Sequence, residues 1–351
     1  MAVPLSDGSA LEGPPVSYDP DLERVEIELL LEGVFRHYGF DFRSYAYASI
    51  RRRLWKRVEA EALSSISELQ ALVLHDSTAM DRLLLDLSIS VTAMFRDPDF
   101  YRVFRQDVVP LLRTYPFIRI WQAGCSLGEE AYSLAILLEE EGLYDRSLIY
   151  ATDINEATLR QAREAIFPAD LMQKYTQNYL ASGGQQSFSE YYTARYEYAV
   201  MRPALKRNIV FSQHNLVSDG AFNEFNVILC RNVMIYFNRE LQERTHALFY
   251  SSLSTFGLLG LGSKESLRLL PQEPLYEPLE TGEIAGLGIE SLAVLAVGLA
   301  AADPRRAPQL RTLTENQLQF HLFRKRQVAA DDHRVAVARQ ARQNMLANSR
   351  Q

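Results

Sequence analysis

The feature that most constrains the fold is the stretch from Ile118 to Glu141, which joins a predicted buried strand to a predicted helix. Apolar residues dominate from Ile118 to Ala123, a turn of small residues runs from Gly124 to Gly128, and leucines then recur at helical spacing. In an α/β sheet, ligands bind outside the carboxyl ends of parallel strands, where small residues let the backbone approach the ligand. The stretch therefore predicts an α/β fold with a ligand site at this turn.

A second predicted strand, Leu148 to Thr152, ends in Asp153. A ribose-binding carboxylate lies at about this place in nucleotide-binding α/β folds, at the tip of the neighbouring strand. Strand and helix patterns continue to alternate as far as Leu258 to Gly262, which favours a mostly parallel, doubly wound sheet. Together these patterns predict a cofactor that contains a nucleoside.

The rest of the chain is expected to divide around this sheet. No strand pattern precedes Ile118, and apolar residues recur at helical spacing from Asp21 to about Leu87, which predicts a small helical domain. Aromatic and β-branched residues from Gln185 to Arg202 predict a small antiparallel insertion. The predicted segments are a disordered leader (1–20), a helical domain (21–95), a doubly wound domain (96–326) with a β insertion at about 167–208 and an unusual insertion at about 282–317, and a polar tail (327–351).

Composition limits the classes of function. The net charge of −7 argues against a protein that mainly holds nucleic acid through phosphate contacts. The two cysteines, Cys125 and Cys230, cannot form a disulfide framework or a cysteine-rich metal site, so no metal is expected. Residues 1–17 lack the basic and apolar regions of a signal peptide, and a cytoplasmic protein is therefore expected.

One apolar segment needs a separate argument. Between Ile284 and Ala302 the only charged residue is Glu290, and a segment of this length could span a bilayer. Stretches resembling closing strands lie on both sides, from Leu275 to Thr281 and from Gln319 to Phe323. If both strands belong to one sheet, the segment must return on the side from which it left. Membrane insertion is therefore not expected.

The cofactor turn favours a particular chemistry. A dinucleotide site needs three spaced glycines to place a pyrophosphate on a helix N-terminus, whereas this turn offers Gly124 and Gly128 alone. The helix begins with Glu129 and Glu130, whose carboxylates suit the helix dipole but would repel a phosphate. A cationic cofactor without phosphates fits better. S-adenosylmethionine carries a sulfonium, an ammonium and a ribose diol that Asp153 could bind.

A basic helix is predicted within Ser44 to Leu63. It carries five cations within seven residues, in a protein that is acidic overall: Arg51, Arg52, Arg53, Lys56 and Arg57. Such a run is often only the solvated face of a helix. The local contrast in charge equally favours a face that docks an acidic partner.

Several stretches together carry a much more specific signal. They are Ser90-Val-Thr-Ala-Met-Phe-Arg-Asp-Pro98, Ala123-Gly-Cys-Ser-Leu-Gly-Glu-Glu-Ala-Tyr-Ser133, Ala151-Thr-Asp-Ile154, His214-Asn-Leu216, Cys230-Arg-Asn-Val-Met-Ile-Tyr-Phe237 and Gly262-Ser-Lys-Glu-Ser266. On these motifs the chain resembles the CheR family of chemotaxis receptor glutamate methyltransferases, over roughly Val25 to Glu280. The resemblance implies a Rossmann-like, S-adenosylmethionine-dependent methyltransferase fold with an N-terminal helical domain and a small antiparallel β insertion.

The resemblance also implies a set of cofactor contacts. Asp153 would bind the ribose hydroxyls, Asn215 and Leu216 would face adenine, and Glu129 with Arg96 would hold the methionine end. The sequence departs from the family, which usually has Asn at position 90, Thr at 127 and Pro at 131. No departure removes a charge, so cofactor binding is expected to survive. The full implied set is Ser90, Thr92, Arg96, Glu129, Asp153, Asn215, Leu216, Arg231 and Asn232.

The implied reaction is methylation of glutamate side chains on chemoreceptors, which gives γ-methyl esters. A carboxylate is already ionised at neutral pH, so no general base is required. Arg96 and Tyr236 match the family's proposed catalytic residues and would orient that carboxylate. The basic helix would dock the acidic helical region of the receptor, and a monomer is expected.

The residues leave alternatives open. A methyltransferase for nucleic acid is disfavoured by the acidic net charge and by Arg231-Asn232-Val-Met, which stands where a base-binding Asn-Pro-Pro-Tyr motif would lie. A non-catalytic sensor of the cofactor or of another nucleotide could keep the same fold, since Ser90 and Leu127 depart from the family. A dehydrogenase is disfavoured by the turn.

Overall fold

The computed structural model describes residues 19–88, 92–279 and 321–325. It divides the chain into two compact units, Met1–Leu87 and Ser88–Gln351. Four features expected from the sequence lie outside the described residues: the leader up to residue 18, Ser90, the insertion at 282–317 and the tail at 327–351. The described part contains no helix long and apolar enough to cross a membrane.

The first unit is helical, as predicted. Its helices are α1 (Pro20–Tyr38), α2 (Tyr47–Ala60), α3 (Ile66–His75) and α4 (Ser77–Leu87). Asp19 caps the start of α1 by accepting from Asp21 N, and Gly39 ends the helix in the left-handed conformation at φ +79°. Most of the periodic apolar residues face inward and form the core of the unit, including Leu30, Val34, Ile50, Leu54, Leu69 and Leu83, whereas Val25 and Leu29 on α1 are exposed.

The second unit is built on a seven-stranded sheet. Its strands are β1 (Ile118–Ala123), β2 (Ser147–Asp153), β6 (Ile209–Gln213), β7 (Phe225–Cys230), β8 (Leu253–Leu261), β9 (Tyr276–Pro278) and β10 (His321–Lys325). The order is β6-β2-β1-β7-β8-β10-β9. The first five strands in that order pair in parallel, and β10 pairs antiparallel with both β8 and β9. The mostly parallel, doubly wound sheet is confirmed.

Helices precede β1 and lie between the later strands along the chain. They are α5 (Pro98–Val103), α6 (Val109–Leu112), α7 (Glu129–Glu140), α8 (Glu156–Glu164), α9 (Met172–Ala181) and α10 (Arg239–Ser252). Every residue of α7 from Glu129 to Leu138 is buried, and Ile118 and Ile120 of β1 are fully buried as well. A helix and strand that are apolar on nearly all sides form the centre of the core.

The small antiparallel insertion is also present. Its strands, β3 (Ile166–Pro168), β4 (Tyr192–Arg195) and β5 (Tyr198–Met201), form a separate sheet in the order β3-β5-β4. Both pairings in this sheet are antiparallel. The aromatic residues Tyr179, Phe188 and Tyr191 are buried beside it and join the main core. Part of the aromatic stretch that predicted the insertion therefore serves packing, whereas Tyr196 and Tyr198 are exposed.

Parallel pairing places one set of loops together. The carboxyl ends of β1, β2, β6, β7 and β8 all lie at one edge of the sheet. Six of the nine residues that the sequence singles out as cofactor contacts lie at these strand ends or in the segments that follow them: Glu129, Asp153, Asn215, Leu216, Arg231 and Asn232. The fold therefore concentrates these residues at this edge.

Candidate cofactor site

The turn after β1 has no room for larger side chains. Gly124 has φ +79°, and a Cβ built there would lie 2.4 Å from Val233 Cγ2. Gly128 has φ +91°, and its Cβ would lie 3.0 Å from Ala162 Cβ. The backbone nitrogens of Gly124 and Cys125 both donate to Thr152 O at 2.8 Å. These bonds hold the turn against the end of β2, so the glycines are needed for conformation and for space.

Asp153 is fixed at the end of β2 by two backbone bonds. Ser126 N donates to Asp153 Oδ2 at 2.9 Å, and Asn155 N donates to Asp153 Oδ1 at 3.0 Å. Burial raises the pKa of this carboxyl, and the N–H bonds oppose that rise. Each carboxylate oxygen has a second lone pair, and these are free to accept from the two hydroxyls of a ribose.

Glu129 begins α7 directly behind the turn, and its residue surface is 3% exposed. Tyr175 Oη donates to Glu129 Oε1 at 3.4 Å, whereas the buried Oε2 atom has no hydrogen-bond partner among the described residues. Burial raises the pKa of Glu129 to about 7. A buried carboxylate oxygen without a partner is costly in an isolated protein. An ammonium group would satisfy it, which fits the methionine end of S-adenosylmethionine.

Asn215 and Leu216 follow β6 and are tied to the same edge. His214 N donates to Asp153 O at 3.1 Å, which brings this loop close to the carboxylate of Asp153. Asn215 Oδ1 accepts from Val217 N at 2.9 Å, so the side chain shapes its own turn. Leu216 is half-buried, and its apolar surface suits the flat face of a base.

Arg96 lies on a constrained loop before α5. The residues on either side of it, Phe95 at φ +50° and Asp97 at φ +58°, both adopt the left-handed conformation. Such residues cost about 1–3 kcal/mol each unless the surrounding structure holds them. Here Phe95 N donates to Ser133 Oγ at 2.8 Å, and Arg231 Nη2 donates to Arg96 O at 3.0 Å. These contacts fix the direction in which the Arg96 side chain leaves the backbone.

Arg231 was expected among the cofactor contacts, but its side chain is fully buried. The Nη1 atom donates to Glu130 Oε1 at 3.1 Å, and Nη2 donates to Asp97 Oδ2 at 2.8 Å. The guanidinium also stacks on Phe100, 4.1 Å from the ring centroid. The side chain therefore joins α7 to the Arg96 loop, and only the backbone of Arg231 is left for a ligand at the strand end.

Asn232 and Tyr236 lie on the turn after β7. Asn232 has φ +61°, and residues Met234–Tyr236 form one turn of 3-10 helix in which Tyr236 is half-buried. Thr92, on the loop before Arg96, is also half-buried. The structure thus places Thr92, Arg96, Asn232 and Tyr236 on short loops of the same unit, each with part of its surface accessible.

One residue that holds this turn, Glu265, is not among those predicted from the sequence. Glu265 accepts hydrogen bonds from the backbone nitrogens of Asn232, Val233, Met234 and Gly262, each at 2.8 Å. The sequence shows an acid just after the apolar strand β8, within the motif from Gly262 to Ser266. That signal indicates a site but does not say that the carboxylate points back into the protein.

The basic helix α2 differs from expectation. Arg53 is buried, and its Nη1 donates to Leu87 O at 2.6 Å, so it cannot belong to a docking face. Arg57, with 15% of its side chain exposed, forms an ion pair with Asp86. The helix carries its cations around several faces, and two of them are drawn inward by partners on α4. The exposed set is Arg51, Arg52 and Lys56, which line a surface groove with Trp55 and Glu59. Within this set Arg51 pairs with Glu23, and Lys56 pairs with Asp86 at 2.9 Å.

Other described parts of the chain offer no metal site. Across residues 19–88, 92–279 and 321–325, no group of three or more His, Cys, Asp or Glu side chains could hold a metal ion. Cys125 and Cys230 are free and buried. Burial raises the pKa of both thiols, which keeps them protonated.

Comparison with known proteins agrees with this geometry. A family model described as CheR methyltransferase, SAM binding domain, matches residues 90–279, and one described as CheR methyltransferase, all-alpha domain, matches residues 25–88. The chain is 48% identical over 255 residues to a Pseudomonas putida protein that carries the name methyltransferase Cher3, with 73% of this chain and 93% of that protein covered. It is 28% identical over 250 residues to a chemotaxis protein methyltransferase of Listeria innocua, with 71% and 92% covered.

Proposed function

The chain belongs to the CheR family of S-adenosylmethionine-dependent methyltransferases that act in chemotaxis, and on that premise we propose that it methylates glutamate side chains of chemoreceptors. The product would be a glutamate γ-methyl ester. The observation that carries the proposal is the constrained backbone of the loop that bears the Arg96 cation. A cation held in this way suits a substrate that is itself an anion.

The cofactor is S-adenosylmethionine, and its predicted site has matching groups. Glu129 would pair with the ammonium group, since its Oε2 atom is buried without a partner in the described part of the chain. Asp153 would accept from the ribose hydroxyls, and Asn215 with Leu216 would lie against adenine. Thr92, Arg96 and the backbones of Arg231 and Asn232 complete the proposed set, with Ser90 as a further expected contact. When bound, the cofactor supplies an electrophilic methyl group.

The protein's task in the reaction is positioning. A glutamate carboxylate is ionised at neutral pH and needs no general base. Arg96 would bind and orient it, and the Tyr236 hydroxyl would donate a hydrogen bond to the same group. The Arg96 guanidinium and the neutral Tyr236 hydroxyl would hold the carboxylate in the orientation that methyl transfer requires. Burial of the surrounding loops would exclude water.

The proposed substrate is the acidic helical region of a chemoreceptor, which the exposed cations Arg51, Arg52 and Lys56 would attract. Trp55 in the same groove offers apolar surface to a helix. A cytoplasmic location and a monomeric state are part of this proposal. They agree with a substrate region that lies on the cytoplasmic side of the receptor.

A transfer assay tests the function directly. Receptor cytoplasmic fragments are incubated with the protein and methyl-labelled S-adenosylmethionine, and the product is treated with mild base. Label that enters the fragment and is released as methanol supports a carboxyl methyl ester. Label that resists base would indicate methylation of another group. Cofactor binding without any transfer would favour the non-catalytic sensor.

A further inference from the structure

A single carboxylate closes the turn that carries Asn232 and Tyr236. Glu265 Oε2 accepts from the backbone nitrogens of Asn232 and Gly262, and Oε1 accepts from those of Val233 and Met234, all at 2.8 Å. The residue is 5% exposed. Three consecutive N–H groups that converge on one anion form a backbone nest, which is usually a site for an external anion. Here the protein supplies the anion itself.

The carboxylate has little freedom in this position. A Cβ built on Gly262 would lie 2.7 Å from Glu265 Oε2 and 3.0 Å from Asn232 N. Glycine is therefore required at 262 so that the carboxylate can sit against the end of β7. Burial raises the pKa of Glu265, and the four backbone bonds oppose this rise.

The same turn also supports the loop after β1 from Gly124 to Gly128, which we call the cofactor loop. Val233 donates its backbone N–H to Glu265, and its side chain fills the space beside Gly124 that a Cβ would enter at 2.4 Å. Asn232 adopts the left-handed conformation at φ +61°, which asparagine tolerates better than most residues with a side chain. The bond from Asn232 N to Glu265 holds this backbone in place.

We propose that Glu265 is a positioning residue for methyl transfer. It fixes the turn that carries Asn232 and Tyr236 and, through Val233, the shape of the cofactor loop at Gly124. The proposal rests on the proposed function for the role of Tyr236 in transfer. Its effect on the cofactor loop is independent of which substrate is methylated. Glu265 itself does not touch the reacting groups.

The variant Glu265→Gln tests the acceptor count at nearly constant volume. An amide has one oxygen, so either orientation of the side chain leaves two of the four backbone N–H groups facing an NH2 group. Buried donors without an acceptor are costly, and the turn is expected to relax to relieve them. We expect kcat for methyl transfer to fall at least about tenfold and the Kd for S-adenosylhomocysteine to rise about threefold to tenfold. Glu265→Asp keeps the charge but draws the carboxylate back by one methylene, so it should also lower kcat and raise the Kd.

Glu140→Gln is the matched control. Its side chain is 1% exposed, and it accepts from Gln185 N at 3.0 Å and Tyr191 Oη at 2.9 Å, with Tyr179 and Arg105 as further donors. It lies at the far end of α7, about 16 Å along the helix from Glu129. This variant should lower Tm as Glu265→Gln does, yet leave kcat and the Kd for S-adenosylhomocysteine within twofold of wild type.

The outcomes separate this inference from the proposed function. Wild-type protein that transfers no methyl to receptor fragments contradicts the function, and the calorimetric Kd of each variant then still tests the role of Glu265 at the cofactor loop. Folded Glu265→Gln protein with wild-type kcat and Kd would overturn the inference. It would also be overturned if Glu140→Gln lowered kcat and raised the Kd as much as Glu265→Gln does. If Glu265→Gln does not fold, Glu265→Asp takes its place. A kcat lower and a Kd higher than those of Glu140→Gln then support the inference, and equal values overturn it.

Discussion

At the scale of single residues, the site depends on polar groups whose environment is set by burial. Glu129 combines a buried oxygen that has no hydrogen-bond partner in the described part of the chain with a pKa raised to about 7. Tyr236 combines a half-buried ring with a turn held by backbone bonds. The cofactor affinity should therefore depend on pH through Glu129, and methyl transfer should depend on the hydroxyl of Tyr236.

The affinity for the cofactor should depend on the charge of Glu129. The free protein holds this carboxyl protonated below about pH 7, and a protonated carboxyl cannot pair with an ammonium. The Kd for S-adenosylhomocysteine is therefore expected to fall as pH rises from 5.5 to 7.5, by up to tenfold per unit below the pKa and then little further. Calorimetry across this range is the measurement. Glu129→Gln should weaken binding and remove this pH dependence, and a variant that kept it would contradict the assignment.

Tyr236→Phe should affect transfer more than binding. The substitution removes one hydroxyl that we place on the substrate carboxylate, while the backbone of the turn stays bonded to Glu265. We expect kcat to fall about tenfold or more, with the Kd for S-adenosylhomocysteine nearly unchanged. Transfer assays on receptor fragments and calorimetry give the two quantities. A large loss of cofactor affinity at unchanged turnover would contradict this division of roles.

At the scale of secondary-structure elements, a buried ion cluster joins β7, α7 and the loop before α5. Arg231 at the end of β7 reaches Glu130 on α7 and Asp97 beside Arg96. A buried pair contributes modest net stability, but the loss of one partner leaves an uncompensated charge. The cluster therefore explains how a loop with two left-handed residues keeps one conformation.

Arg231→Met should be strongly destabilising for this reason. We expect the free energy of unfolding in urea to fall by about 3–5 kcal/mol, because Glu130 and Asp97 lose their shared partner. Addition of Glu130→Gln to the same chain should restore part of the loss, since it removes one of the unpaired buried charges. A single variant as stable as wild type, or a double variant that is less stable than the single one, would contradict the account.

At the scale of the whole molecule, the helical unit and the sheet unit have different tasks in the proposal. The helical unit carries a groove with exposed cations, and the sheet unit carries the cofactor loops. A net charge of −7 means that attraction for an acidic receptor must come from this local patch and not from the protein as a whole.

Removal of exposed positive charge from α2 should weaken substrate docking. Arg52→Glu combined with Lys56→Gln is expected to raise the KM for receptor fragments and to flatten its dependence on salt, with kcat nearly unchanged. Arg24→Glu is the control, since Arg24 is exposed on α1 and does not line the groove. A salt response equal to that of wild type would contradict the docking surface.

Much of the fold follows from local pattern. Ile118–Ala123 agrees with the predicted strand at both ends, because a short apolar run bounded by glycine depends on neighbours in the chain. The fold class and the helical N-terminal unit were predicted for the same reason. The order of strands and the antiparallel pairing of β10 with β8 depend on contacts between distant segments. A local pattern does not contain that information.

The sequence by itself determined the fold class, the family and the cofactor, and it predicts that a small-residue turn and an acid at the next strand end belong to one S-adenosylmethionine site. Only the tertiary structure decided what each charge does. Arg53 and Arg231 read as solvent-facing or ligand-binding cations, yet both are buried against partners 34 or more residues away. Glu265 turns inward to four backbone donors. A buried charged residue lies beside a partner that offsets the free-energy cost of its desolvation, and only the folded chain brings that partner near.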